Sequence, residues 1–402
     1  MNQRGLIGLI AALAILAIIV FVTQHSQAPS SSQGSTFIPK LQSALNDVEK
    51  VTIKKAGDAT VATLERQPDS WVVAERNDYP ADVGKLRKNL VALAEARILE
   101  EKTSNPDNYA RLGVQDIDKA SAKGVAVELA AANQQLPTII IGNADGTKYR
   151  YVRRAGQAKS FLIDRNPDLP NKTSEWLAPN IVDVRGDRMQ QVTIKHQGGD
   201  TVTIEKPDRK ATNFQVHDVP AGRELLYPGV ANVIGNSLRE LNLEDVAAAD
   251  ATPAGEPAAQ VEFRTFDGLV VDVKGFKDGD KDWITLAAHF DPDQAKRFAP
   301  PPSDAATKAS SKGDEAKPDD TATQGKPAAT PATAEKTPGS ATSATDAGKT
   351  GSSDDVAAEA EAINRRVGKW RYQVAAFQYD QMTRQMSDLL KPKEEPKKAS
   401  KK

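Results

Sequence analysis

The chain has 402 residues, which at about 150 residues per domain allows two to three domains. Its 53 basic and 54 acidic residues leave a formal net charge of −1, which argues against a nucleic-acid binder. The absence of cysteine removes disulfides, thiolate metal sites, thiol nucleophiles and lipoprotein acylation.

Residues 1–4 precede an 18-residue run, GLIGLIAALAILAIIVFV, with no charged or polar side chain. As a helix it spans about 27 Å, close to the ~30 Å hydrocarbon core of a bilayer, and predicts a transmembrane anchor over 5–23. Arg4 precedes the run and no Lys or Arg follows it before Lys40. The positive-inside rule therefore expects a cytoplasmic amino terminus and an extracytoplasmic body. A cleaved leader is the rival reading, since small residues stand at Ser26 and Ala28. The length of the run and Pro29 beyond that point argue against it. Gly8 and Ala12 form a small-xxx-small pair that can seat a partner helix, although small residues also suit a lipid-facing helix.

Residues 24–46, which open rich in Ser, Gln and Pro, read as a stalk. An internal repeat follows, with one copy expected over 47–187 and the second over 188–298 plus 356–390. VTIKKAGDATVATLERQPDSWVV (51–73) answers to VTIKHQGGDTVTIEKPDRKATNFQV (192–216). Each reads as two alternating strands and a third segment bearing one aromatic, Trp71 or Phe214. The period then changes from 2 to 3.6. Val83, Leu86, Leu90 and Leu93 predict one apolar helix stripe, and Val230, Val233, Ile234, Leu238 and Leu241 predict its counterpart. Further strands are expected at 125–129, 138–141, 148–152 and 160–163, with Asp145-Gly146 as a hairpin turn. In the second half they are expected at 261–265, 269–273 and 283–287. Short connections imply antiparallel pairing, so the fold class is α+β, built as two tandem related domains after one transmembrane helix.

From Ala299 to Asp355 there is no Val, Ile, Leu, Met, Phe, Tyr or Trp. Residues 299–355 therefore read as a disordered insertion in the second repeat. Beyond it Trp370, Tyr372 and Val374 alternate as a strand, and Met382, Met386 and Leu389 predict a final helix. Residues 391–402 form a basic tail.

No constellation of catalytic or metal-binding residues emerges. His25, His196, His217 and His289 are scattered without ligand spacing. Asp278, Asp280 and Asp282 resemble the start of a calcium loop, but Trp283 and His289 stand where Gly and Glu are required, so a polar hairpin is expected. No nucleotide or nucleophile-elbow motif is present. Trp71, Trp176, Trp283 and Trp370 can line a saccharide-binding face or anchor small sheets.

The repeat and its punctuation resemble the bacterial family called domain of unknown function 4340. The resemblance rests on Trp71, the turn Tyr79-Pro80-Ala81-Asp82, YARLG (109–113), IIIG (139–142), YVR (151–153) and WRYQVAAF (370–377). It implies a membrane-anchored envelope protein considered alongside ABC-type export systems related to gliding-motility transporters, with no catalytic residues to carry over. The expectation is a non-enzymatic, cofactor-free accessory or scaffold, single-pass in the bacterial inner membrane. Its partners would be membrane lipid, through the anchor, and an ABC permease or ATPase assembly, with no nucleic acid. A binding module for cell-wall or exported polysaccharide is the alternative.

Overall fold

The structure is a computed structural model that describes residues 34–132, 134–251, 255–299 and 352–392. Its first part runs α1 (Leu41–Ala44), β1 (Val48–Lys55), β2 (Ala59–Arg66), β3 (Trp71–Val73), β4 (Tyr79–Pro80), α2 (Val83–Glu95), β5 (Ile98–Thr103) and α3 (Tyr109–Leu112). It continues through β6 (Val125–Ala131), β7 (Gln134–Gln135), β8 (Ile139–Asp145), β9 (Tyr149–Arg154) and β10 (Ser160–Ile163). The second part runs β11 (Asn180–Val182), β12 (Met189–His196), β13 (Thr201–Glu205), β14 (Gln215–Val216), α4 (Asn232–Gly235), β15 (Leu241–Ala248), β16 (Ala259–Thr265) and β17 (Leu269–Asp278). It ends with β18 (Lys281–Phe290), α5 (Pro292–Arg297), α6 (Ser353–Val367), β19 (Trp370–Val374), α7 (Ala376–Met382) and α8 (Met386–Leu389).

Two antiparallel sheets result. The first has the order β4-β3-β2-β1-β6-β8-β9-β10-β5, with β7 paired to β6, and the second has β11-β15-β19-β18-β17-β16-β12-β13-β14. When β12 is matched to β1 and the following strands in turn, leaving out the short β4, β7 and β11, both sheets show the same eight-strand order, 3-2-1-5-6-7-8-4. Register follows the repeat as well. Val51 faces Leu64 and Leu129, and Val192 faces Ile204 and Phe263. The common cause is the VTIK alternation, which puts Val51, Ile53, Val192 and Ile194 on buried faces. Strand β19 lies between β18 and β15, so the chain returns after residue 352 to the sheet it left at residue 290.

In α2, Asp82 caps the first turn by accepting a hydrogen bond from the Lys85 N–H at 2.9 Å. Leu86, Leu90 and Leu93 are buried, each contributing about 1.5–3 kcal/mol. Val83, expected on the same stripe, is 43% exposed, so the buried face of the helix begins one turn later, at Leu86.

Several other expectations are corrected. The stalk over 24–46 overlaps the fold: Phe37, Ile38, Leu41 and Ala44 are fully buried, and Phe37 N–H donates to Ala96 O at 2.7 Å. Four apolar side chains within eight residues bury too much surface to remain a tether. The predicted second helix shrinks to the four residues of α4. Asn232 accepts from Phe214 N–H (3.0 Å), Asn236 donates to Asn232 O (2.8 Å) and Ser237 to Ile234 O (2.8 Å), side-chain bonds that favour a chain reversal over further turns. Val230, Ile234, Leu238 and Leu241 are buried all the same, and Val233 is half-buried. The predicted final helix is split into α7 and α8, because Gln385 and Asp388 form a capping box that starts a new helix. Helix α6 begins inside the stretch expected to be disordered, where Ser352 and Asp355 form another capping box.

Among the described residues no helix is long and apolar enough to cross a membrane. The expected anchor over 5–23, with Gly8 and Ala12, lies outside the described residues, as do residues 300–351 and 393–402.

Candidate functional site

The two sheets meet edge to edge. Residues 176–182 run between β4 at the edge of the first sheet and β15 near the edge of the second. On one side Ala178 N–H donates to Pro80 O (2.9 Å) and Asp82 N–H to Trp176 O (2.8 Å). On the other, Leu243 N–H donates to Pro179 O (2.9 Å), and β11 pairs with β15. Side chains reinforce the join. Arg76 donates two hydrogen bonds to Asp245, Nε to Oδ1 at 2.7 Å and Nη2 to Oδ2 at 2.9 Å. Tyr79 of the first repeat is 2% exposed and meets Trp370 and Tyr372 of the second edge-on, at centroid distances of 5.2 and 6.2 Å. Burial pushes the Tyr79 and Tyr372 phenols above their ordinary range.

A cleft of about 520 Å³ opens along this join. Its walls include Asp82, Lys85, Lys172, Glu175, Glu244, Asp245, Lys281 and Gln373. Most of these groups serve the fold. Asp82 caps α2, Lys85 Nζ donates to Glu175 O, Asp245 holds Arg76, and Glu244 accepts from Gln373 at 3.1 Å. A polar cleft of mixed charge is suited to peptide or protein contact rather than to enclosing an apolar ligand.

The four tryptophans do not share one surface. Trp176 is fully buried, with its Nε1–H donating to Pro170 O at 3.2 Å, and Trp283 is 6% exposed beneath the Arg371 guanidinium, 4.3 Å from its ring centre. Neither presents a face to a sugar. Trp71 and Trp370 are half-buried against the core. Of the histidines, His196 is 3.3 Å from Arg384 O, while His217 and His289 lie beside Glu205 and Asp272. His25 lies outside the described residues. The Asp278–Asp282 stretch is a hairpin connection, with Asp278 paired to Lys281 and Asp282 bound to Lys277 at 2.7 Å. Among the described residues no group of three or more His, Asp or Glu is placed to hold a metal ion.

The motifs YARLG, IIIG and YVR converge on one packing lock. Arg153, 2% exposed, donates to Val114 O (2.8 Å), Gln157 O (2.9 Å) and Asp116, and its guanidinium covers the Tyr109 ring at 4.6 Å. Tyr109 Oη donates to Ala158 O. Gly142 passes so close to the loop after α3 that a Cβ there would overlap Leu112 O and crowd Val114. Sequence reasoning missed Arg76, Asp245 and the joining role of Tyr79. Arg76 and Asp245 stand 169 residues apart, and no local pattern connects them.

The fold and the join define a tandem α+β duplication of two fused antiparallel sheets. Residues 71–260 match the family model for a domain of unknown function (DUF4340), so the chain is similar to that family over the later strands of the first repeat and the opening strands of the second. The closing WRYQVAAF lies beyond the matched stretch. No curated protein and no solved structure matches the chain.

Proposed function

We propose that the chain is a non-catalytic, single-span protein of the bacterial inner membrane, whose two repeats form a stiff extracytoplasmic accessory or scaffold for an ABC-type transport assembly. In this reading the functional units are the two repeats, and partner subunits supply the permease and the ATPase.

The observation that carries the reading is the edge-to-edge join. Backbone hydrogen bonds on both sides of residues 176–182, the Arg76–Asp245 fork and the buried Tyr79 tie the repeats into one continuous unit. A stiff body of this kind can hold partners at a fixed separation, and its open polar cleft offers a contact surface. The apolar run at 5–22 supports the membrane setting.

The test is purification of the full chain from gently solubilised membranes of its own organism, followed by identification of what accompanies it. Co-purification of a permease or ATPase supports the reading, and its absence under conditions that keep other membrane complexes intact overturns it.

A further inference from the structure

A second cavity lies away from the join, where the described chain begins. Gly34 N–H donates to Ile98 O at 2.7 Å, so the chain arrives along β5, the last strand at one end of the first sheet. A pocket of about 520 Å³ adjoins it, walled by Ile38, Pro39, Ile98 and Phe161 with the cations Lys40 and Arg154, and with no carboxylate. Four other clefts of comparable size each carry at least one carboxylate.

Arg154 is one of several arginines that no carboxylate engages among the described residues, in contrast to Arg76, Arg153, Arg188 and Arg264, which have carboxylate partners and brace the two repeats. Its Nε and Nη2 donate to Phe37 O and its Nη1 to Gln157 Oε1, while the guanidinium lies over the rings of Phe37 and Phe161, at 4.8 and 5.5 Å. Burial lowers its affinity for its proton, and no neighbouring carboxylate offsets that. Arg97, on the same edge, donates to Gly34 O at 3.3 Å and likewise makes no ion pair among the described residues. The nearby acids are engaged: Asp164 accepts from Arg97 N–H and pairs with Arg165, and Glu101 pairs with Lys159. No Asp or Glu precedes Asp47 in the chain.

We infer that this pocket takes the headgroup phosphate of an anionic phospholipid, with the start of its acyl region against Ile38, Pro39 and Phe161. The inference rests on the single-span reading. In that reading eleven residues, 23–33, separate the apolar run from Gly34. Fully extended they reach about 40 Å at most, which keeps this edge within one molecular diameter of the bilayer. Apolar walls, two cations and no competing carboxylate match an amphiphilic anion.

The full chain is reconstituted into vesicles of phosphatidylglycerol and phosphatidylcholine. Flotation is measured first, and native mass spectrometry of the re-solubilised protein then reports retained lipid. The chain floats and retains phosphatidylglycerol in preference. Arg154→Gln floats equally but loses about tenfold in retention, as expected for one charge-assisted contact, and Lys40→Gln, an exposed site, shows a smaller loss in the same direction. Inorganic phosphate does not displace the lipid. A chain that fails to float overturns the single-span reading and this inference with it. A chain that floats but shows no lipid preference, or whose two variants retain lipid like the parent, overturns the pocket alone, and displacement by inorganic phosphate does the same by assigning the pocket to a free anion.

Discussion

The two sheets share one strand order and differ in what covers them. In the first, β9 returns to β10 through residues 155–159, and the 13-residue helix α2 lays its leucines on the core. In the second, the equivalent turn between β18 and β19 extends over residues 291–369, and the place of α2 is held by the four residues of α4. Part of the missing cover comes from α6, whose Val356, Ala360, Ile363 and Val367 are buried in the same core. Asn364 also seals the strand beside it, accepting from Ala288 N–H at 2.8 Å and donating to Ala288 O at 2.6 Å, as a neighbouring strand would. The ladder and its alternation hold the topology, and covering helices are exchangeable provided an apolar stripe reaches the sheet.

The most severe way to break the comparison is to separate the halves. Tyr79→Ala empties the space against Trp370 and Tyr372 and is expected to cost about 3–5 kcal/mol. In urea, the parent should unfold in one transition that coincides by circular dichroism and tryptophan fluorescence, and Tyr79→Ala should lower the midpoint and split it. An unchanged single transition would mean that the join contributes little to cooperativity.

A smaller effect probes the cover of the second sheet. Arg188, immediately before β12, donates to Asp267 at 2.9 Å and, through both terminal nitrogens, to Glu359 of α6 at 2.9 and 2.8 Å. Burial pulls its pKa down, but the bonds and charges of Glu359 and Asp267 outweigh that and hold it above the ordinary range. Arg188→Met leaves two acids facing each other and should cost about 1–3 kcal/mol, discounted for partial exposure. Amide exchange should quicken across α6 and stay unchanged in α2; equal effects in both would refute the assignment of Arg188 to that helix.

The strands were the legible part of this fold. Alternation marks β1, β2, β12, β13 and β16–β18 because one face of each sheet is packed and the other is largely polar. Helices were legible only where period and capping agreed. Asp82 and the leucines made α2 readable, whereas around α4 the apolar spacing of Val230–Leu241 was satisfied by burial without helix. The joining residues were not legible, since Arg76 and Asp245 acquire meaning only when two distant edges meet. The burial of Phe37, Ile38 and Leu41 was available in FIPKLQSAL, an apolar pattern that the Ser- and Gln-rich residues before it obscured.

Gly142→Ala tests the motif lock within the first repeat. The added methyl overlaps Leu112 O, so the loop after α3 must shift at a cost of about 1–3 kcal/mol. Loss of amide protection should be confined to α3 and β8, and protection lost equally in β17 would show that the lock acts through the whole body.

The smallest effect separates the second repeat from the join. Tyr379 Oη is buried without a hydrogen-bond partner among the described residues, and burial, then the charges of Asp282 and Asp380, push its pKa up to about 12. The folded chain therefore favours the neutral phenol, while the unfolded phenol ionises near pH 10. The associated stability is whole below about pH 10 and is lost as pH rises toward 12. Tyr379→Phe should be as stable as the parent at neutral pH, or more stable by up to about 1 kcal/mol, because it removes an unsatisfied buried hydroxyl. Its unfolding free energy should also fall less steeply above pH 10. The loss that persists in this variant includes that of Tyr79 and Tyr372, whose phenols burial raises at the join, and adding Tyr79→Phe should flatten the curve further. An alkaline slope identical in parent and Tyr379→Phe would mean that the Tyr379 hydroxyl is hydrated, and the second repeat would then be open to water at the place where α7 packs on β18.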